Sequence, residues 1–454
     1  MNVCRFGAGN YQLAGLGLLF CIFLVWQIPN VIALRYLLLL GLCILFLPAG
    51  VRGIYARMTR QPSRVSSNPV FLVYALFLAW LLFVAIGIAA ESIPSLMYIK
   101  GQWLPPTLFL IIGYGAALAC SDGRIPGRSP VRTVFWALMA HAVLQLVVAA
   151  WTIYHEGSLP GNFGGISDHK ANVTYTNTLA LALLLTDGVG GSAGARFLGL
   201  GRRLQAITYV VLLISTYASS TRNGAVVFFL LSVIGVVAIA LPDRHKAPRR
   251  WWGIAAMCVV ASTMAAWLML KSDARWERFM ATVPVAWDID ANHAWVNVHK
   301  YPVPLAADGK PVDINAYERI AYARVALRFL AQYPLGTAVS GDAFKRLVSM
   351  NYSYVYSGHP HNSYLDLGIS IGLPGLALWL ACLASMIWFG WRSFRRWKNP
   401  TGMALVMVAL GFALRSLLDS IVRDHIIQEF MLTCGLLIGC IEAYRAEKEL
   451  IASR

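Results

Sequence analysis

The chain has 454 residues, of which 58% are hydrophobic and only 13% charged; soluble domains run near ~45–50% and ~25%, so an ordinary soluble enzyme is excluded. Lys and Arg number 38 against 21 Asp and Glu, a net charge of +17 that in a soluble chain would point to nucleic acid. Apolar stretches of about 18–22 residues recur from end to end, the length that crosses a bilayer, so the charge is read by position, as an orientation signal, and no nucleic-acid partner is expected.

Taken in chain order, the apolar windows predict twelve spans near 10–27, 30–48, 69–90, 103–120, 134–154, 171–187, 205–220, 224–241, 251–270, 363–390, 401–419 and 426–444. No small-residue cleavage site follows Trp26 and a second span begins almost at once, so the first is expected to be a retained helix and not a signal peptide. The sixth is polar in its first half, with Asn172, Thr174, Thr176, Asn177 and Thr178. With the N-terminus inside, the short inward segments hold 22 of the 38 Lys and Arg, and the short outward segments with their helix ends hold six: Arg35, Lys100, Lys170, Arg222, Arg415 and Arg423. Both termini are therefore predicted inside. The other ten lie in one long outward loop, where the rule has little force. None of the eight cysteines falls in that loop, so neither a disulfide framework nor a cysteine metal site is expected.

The expected fold is all-α and polytopic, with about twelve transmembrane helices. Nine lie in 1–270, a large, partly helical outward loop occupies 271–362, and three helices with an inner tail occupy 363–454. Chemistry is expected at the outward surface, where five groups of residues stand out.

His169 and Lys170 precede the sixth span, either as headgroup contacts or as cations beside an anion. Ser219-Ser220-Thr221-Arg222-Asn223-Gly224 opens the eighth span with its N-terminus outward. Unpaired N–H groups, hydroxyl caps and the helix dipole coincide there with a guanidinium, which makes an anion site; the alternative is an Arg snorkelling to headgroups. Asp288-Ile289-Asp290 has the form of a metal-holding carboxylate pair, but is read as loop acids. On the predicted helix Ala316–Gln332, Ala323, Ala326, Leu327 and Leu330 lie within about 80° of Arg319, which places Arg319 on the packing face, with Arg324 and Arg328 on a solvated one. Arg319 then needs a partner, either a carboxylate such as Glu318 or Asp313, or a phosphate.

His359-Pro360-His361-Asn362-Ser363 opens the tenth span. An HxH pair without a third ligand is a weak metal signal. A neutral His there can take a proton from a hydroxyl, and Asn362 or Ser363 can cap the helix. His359 precedes proline, so its backbone is expected to be extended and its side chain directed elsewhere. Within the spans, His141 and Gln145 are expected to hydrogen-bond in the bundle, and Arg415 with Asp419 to form a local ion pair.

These stretches resemble the O-antigen ligase family, within a superfamily that includes O-antigen polymerases and bacterial protein O-oligosaccharyltransferases. Ser-Ser-Thr-Arg222-Asn-Gly is similar to the family's small-residue-plus-Arg motif. Arg319 followed after fifteen residues by Pro334-Leu335-Gly336 resembles its Arg, helix and Pro-Leu-x-Gly turn. His361-Asn362-Ser363-Tyr364-Leu365 and Gly372-Leu373-Pro374-Gly375-Leu376 resemble its His-Asn-x-Tyr-Leu and Gly-Leu-x-Gly-Leu runs. Departures are Ala323, where an aromatic is usual, and Gly336-Thr337-Ala338, where Gly-x-Gly is common.

The resemblance implies a GT-C-like glycosyltransferase of the bacterial inner membrane with a periplasmic site. An undecaprenyl-diphosphate-linked glycan would pass, with inversion and with no metal, nucleotide or other cofactor, to a sugar hydroxyl of the lipid A core. Arg222 and Arg319 are the implied diphosphate contacts and His361 the general base, with His359, Asn362, Lys170 and His169 secondary. A polymerase or protein glycosyltransferase using the same donor is the alternative. A transporter would place ionisable groups near the membrane midplane, and here the charges within spans cluster at their ends.

Overall fold

The computed structural model describes residues 8–60, 68–120, 129–160, 163–167, 169–192, 198–219, 221–240, five helical positions between 256 and 267, 275–352 and 358–452. Among these, the only β contact is one isolated bridge, between Leu305 and Pro311. The helices are α1 (Ala8–Val25), α2 (Ile32–Arg60), α3 (Val70–Ile88), α4 (Ser92–Cys120), α5 (Pro130–Glu156), α6 (Lys170–Ser192), α7 (Arg202–Ala218), α8 (Arg222–Ala240), α9 (Arg275–Trp287), α10 (Ile314–Gln332), α11 (Ala343–Tyr352), α12 (Ser363–Trp397), α13 (Pro400–Leu418) and α14 (Asp424–Ala452).

Seven of these, α2 to α5 and α12 to α14, contain stretches long and apolar enough to cross a membrane. The chain is thus a multi-pass, all-helical membrane bundle. Shorter apolar stretches, Tyr11–Val25 and Arg222–Ala238, lie in α1 and α8. The expected sixth and seventh spans correspond to α6 and α7, which are joined by polar contacts: Asn177 Nδ2 donates to Ser215 Oγ (3.0 Å) and Thr216 Oγ1 (3.2 Å). Such groups hold helices together where lipid offers no hydrogen bonds. The expected ninth span lies almost wholly outside the described residues.

Helix α2 turns Tyr36, Leu37, Leu40 and Ile44 outward, as a lipid-facing helix does. The tightest seam joins α4 to α14, where a Cβ on Gly113 would stand 2.1 Å from the Leu432 carbonyl oxygen and one on Gly435 2.0 Å from that of Leu110. Only glycine permits that approach. His141 Nδ1 donates to the Leu24 carbonyl (3.1 Å) and its Nε2 lies 3.4 Å from Ser167 Oγ, while Gln145 Nε2 donates to the Gly164 carbonyl (3.3 Å), so this pair anchors the 163–167 segment in the bundle.

The segment between 286 and 348 buries its own apolar cluster, including Trp295, Tyr317, Tyr322, Phe329 and Phe344, closed by Ile369 of α12. Helix α12 is broken at Gly372, whose φ of 76° and ψ of 174° are not helical. The Pro334-Leu335-Gly336 turn after α10 docks into that break. Leu373 N–H donates to the Pro334 carbonyl (2.7 Å), and Thr337 and Ala338 N–H to that of Ser370 (3.0 and 3.2 Å). Trp80 Nε1 donates to the Ile371 carbonyl (2.8 Å), so the backbone groups freed by the break are paired again. The two motifs read separately in the sequence are therefore one joint.

Candidate active site

The joint fixes the start of α12, and the start of α12 is stitched to the loop between α13 and α14. Asn362 caps the helix, accepting from Tyr364 and Leu365 N–H (3.0 and 3.1 Å), while its Nδ2 donates to the Leu417 carbonyl (2.9 Å). Ser363 Oγ donates to the Asp419 carbonyl (2.8 Å) and accepts from Ile421 N–H (2.8 Å). Asn362 is the helix cap, one of the roles its sequence allowed, while Ser363 ties the helix start to the loop.

The same loop gathers the arginines. Arg319 Nη1 donates to the Leu418 carbonyl (3.0 Å) and lies 3.5 Å from Asp419 Oδ1. Asn223 Nδ2, from the first turn of α8, donates to the same two oxygens (2.9 and 3.0 Å). Arg415, 1% exposed, sits 3.2 Å from the other Asp419 oxygen and donates from Nη2 to the Ala171 carbonyl at the start of α6 (3.2 Å). One carboxylate thus joins α8, α10 and α13.

The expected partners of Arg319 are corrected by this arrangement. Its ion pair is with Asp419, and its charge acts on Glu318 against a larger opposing effect of burial. Asp313 caps α10, accepting from Ala316 N–H at 3.0 Å, and turns its other oxygen to Arg222 Nη2 at 3.5 Å. Arg319 is also less buried than the helical wheel implies, with its side chain 41% exposed. The buried face of α10 includes the expected Ala326 and Leu330 but extends through Tyr317, Tyr322, Val325 and Phe329, and Leu327 is exposed. The large aromatics shifted the face, because they fill the 286–348 cluster better than the small Ala323 can.

Arg324 and Arg328 are not merely solvated. Arg328 forks onto Asp290 (3.0 and 2.6 Å), which holds that carboxylate below its usual range, and Arg324 lies over the Trp287 ring at 5.1 Å. Asp288 accepts from Ala291 N–H (3.2 Å). Asp288 and Asp290 both lie in the loop after α9.

His361 adopts a left-handed backbone, φ 54°, uncommon for a residue with a side chain and a mark of a constrained turn. Its ring stacks on Tyr322 of α10 at 6.3 Å and 19°, and meets the His359 ring edge-on at 4.4 Å. The expectation that His359 points elsewhere is thus corrected. The left-handed turn carries His361 back over Pro360, and His361 N–H donates to His359 Nδ1 (3.3 Å). Burial, then the charges of Arg319 and Arg423, depress the His361 pKa to about 4. Burial, then His361 and Arg423, depress that of His359 to about 3. Both rings are neutral near pH 7, the form that accepts a proton.

His169 is exposed and Lys170 half-buried at the start of α6. The carbonyl of the next residue, Ala171, accepts from Arg415. Among the described residues, no group of three or more His, Cys, Asp or Glu side chains is placed to hold a metal ion.

Sequence reasoning missed two residues. Asp419 is legible in the sequence only as Arg415's neighbour, and Arg423 only as an outward charge, yet Arg423 grips Asp366 in the first turn of α12 (2.8 and 2.5 Å). Arg423 and Arg319 together set the field on His361. Residues 207–380 match the family model described as O-antigen ligase. None of the curated proteins compared matches the chain.

Proposed function

We propose, from the membership of residues 207–380 in the O-antigen ligase family, which makes the chain an enzyme of ligase type, that it transfers a glycan from undecaprenyl diphosphate to a sugar hydroxyl of the lipid A core. The reading places the site on the periplasmic face of the inner membrane, in a twelve-span GT-C-like bundle, with both termini in the cytoplasm. The acceptor hydroxyl attacks the anomeric carbon of the first donor sugar from the face opposite the diphosphate. The carbon–oxygen bond to the diphosphate breaks with inversion, and the hydroxyl proton passes to His361. His359 steadies that ring.

Arg222 and Arg319, with the N–H groups that open α8, stabilise the negative charge that grows on the leaving diphosphate. Their present carboxylate contacts are 3.5 Å long, loose enough for a fork-shaped diphosphate contact to replace them. The observation that carries the reading is the convergence of Arg319, Asn223 beside Arg222, and the start of α12 on residues 417–419. Purified protein given a prenyl-diphosphate glycan and lipid A core, in EDTA and without nucleotide, should yield a larger lipid product on a gel. Transfer to a second donor-linked glycan or to a protein, with none to lipid A core, would move the reading to the polymerase or protein-glycosylating branch.

A further inference from the structure

A cleft of about 570 Å³, with Arg423 in its lining, opens between the start of α4 and the loop before α11. Glu91, Tyr98 and Gln102 line it from one wall, Asp342 and Arg346 from the other, and Arg423 closes its floor. That volume falls within the ~300–1,000 Å³ of small-molecule sites. Tyr98 is a half-buried aromatic surface surrounded by a carboxamide, two carboxylates and two guanidinium groups. Arg346 lies 3.6 Å from Asp342 and Arg423 is held by Asp366, so both guanidinium groups have a carboxylate partner and Glu91 adds a further negative charge. No uncompensated positive charge faces the cleft, in contrast to the arginine side, so a phosphate has no special attraction here.

An apolar ring with planar polar groups of both donor and acceptor type matches a neutral, hydroxyl-rich ligand, since each hydroxyl both gives and takes a hydrogen bond. The loop also approaches closely: a Cβ on Gly341 would stand 2.8 Å from Tyr98 Oη. Arg423 lines this cleft and its charge also acts on His361, so a sugar seated here shares a neighbour with the residue read as the base.

We infer that this cleft is a glycan subsite, taking the hydroxyl-rich sugar chain of one of the two substrates. The choice of sugar chain as ligand rests on the proposed glycosyl transfer. Two sources share that chemistry, the acceptor oligosaccharide and the donor glycan.

The test is calorimetric titration of the full-length protein in detergent with two soluble probes, a delipidated and dephosphorylated lipid A core oligosaccharide and a donor glycan freed of its prenyl diphosphate. Saturable binding of either probe, weakened about tenfold or more by the double variant Asp342→Asn/Arg346→Gln, supports the subsite, as expected when hydrogen bonds to charged groups are lost. The probe that is weakened identifies the source. Asp342 and Arg346 are 61% and 43% exposed, so the double variant retains the fold; Tyr98→Ala, checked for an unchanged melting temperature, is the independent second variant. No saturable binding to the wild type, or equal binding by both variants, overturns the proposal. Neither probe needs turnover, so a wild type that binds glycan and fails to transfer it sinks the proposed function and leaves the subsite standing, and the converse pattern does the reverse.

Discussion

Asp419 divides its two oxygens between an exposed arginine and a buried one: Oδ1 faces Arg319 at 3.5 Å and Oδ2 faces Arg415 at 3.2 Å. The two partners differ in what the carboxylate does for them. Arg319 has solvent, whereas Arg415 is 1% exposed and its Nη1 has no hydrogen-bond acceptor. Asp419→Asn therefore leaves a buried guanidinium without its counter-charge, a loss of about 3–5 kcal/mol. Thermal unfolding in detergent should show a large drop for Asp419→Asn and little change for Arg319→Ala. Equal melting temperatures for wild type and Asp419→Asn would show that the carboxylate is dispensable to the fold.

Arg222 and Arg319 should behave alike in turnover despite their different carboxylate partners. Replacing either by Ala removes a contact expected to strengthen as the diphosphate leaves, and should slow transfer ~10²-fold or more. Lys should restore only part of it, because an ammonium lacks the planar fork. Single-turnover rates at matched expression check this, and wild-type rates in both Ala variants would remove the diphosphate role.

The break in α12 gives a prediction about folding. Gly372 combines a positive φ with a Leu335 carbonyl carbon 2.2 Å from where a Cβ would stand. Gly372→Ala must move the Pro334 turn, and with it the 370–373 hydrogen bonds that position the start of α12. Lower yield of folded protein, or folded protein with much reduced transfer, is expected. A variant with normal stability and rate would show that the joint is slack.

How much of this was legible in the sequence depended on distance along the chain. Apolar windows predicted helices that the structure contains, because burial in lipid is written in local composition. The Pro-Leu-Gly turn and the Gly372 run were each visible, but their docking joins residues more than thirty positions apart and leaves no periodic trace. Asp419 was visible as an i+4 partner of Arg415. Its contact with Arg319 spans 100 positions, and nothing local to either residue signals it. The His359 direction was misjudged for a related reason: proline constrains the residue before it, while the ring contact depends on the left-handed φ at the residue after it.

The depressed His361 pKa gives the last prediction its sign. A base must be neutral to work, and an unperturbed imidazole would lose activity as pH falls through about 6.5. Here burial and two guanidinium charges disfavour the protonated ring, so the free enzyme's pKa is about 4. The acid limb of kcat/KM, which reports the free enzyme, should therefore lie near pH 4, with a flat profile from pH 5 to 7. Donor binding brings negative diphosphate beside Arg319 and offsets its charge, so the limb of kcat should lie at higher pH than that of kcat/KM. His361→Ala should nearly abolish transfer with donor binding intact, because the base acts on the acceptor hydroxyl. His359→Ala should be milder, and should shift the acid limb of kcat/KM, since the two rings touch. An acid limb of kcat/KM near 6.5 would mean that the ring is solvated and unperturbed in the resting enzyme. Full activity in His361→Ala, or loss to EDTA with recovery on zinc, would remove the base assignment and return the histidine pair to metal chemistry.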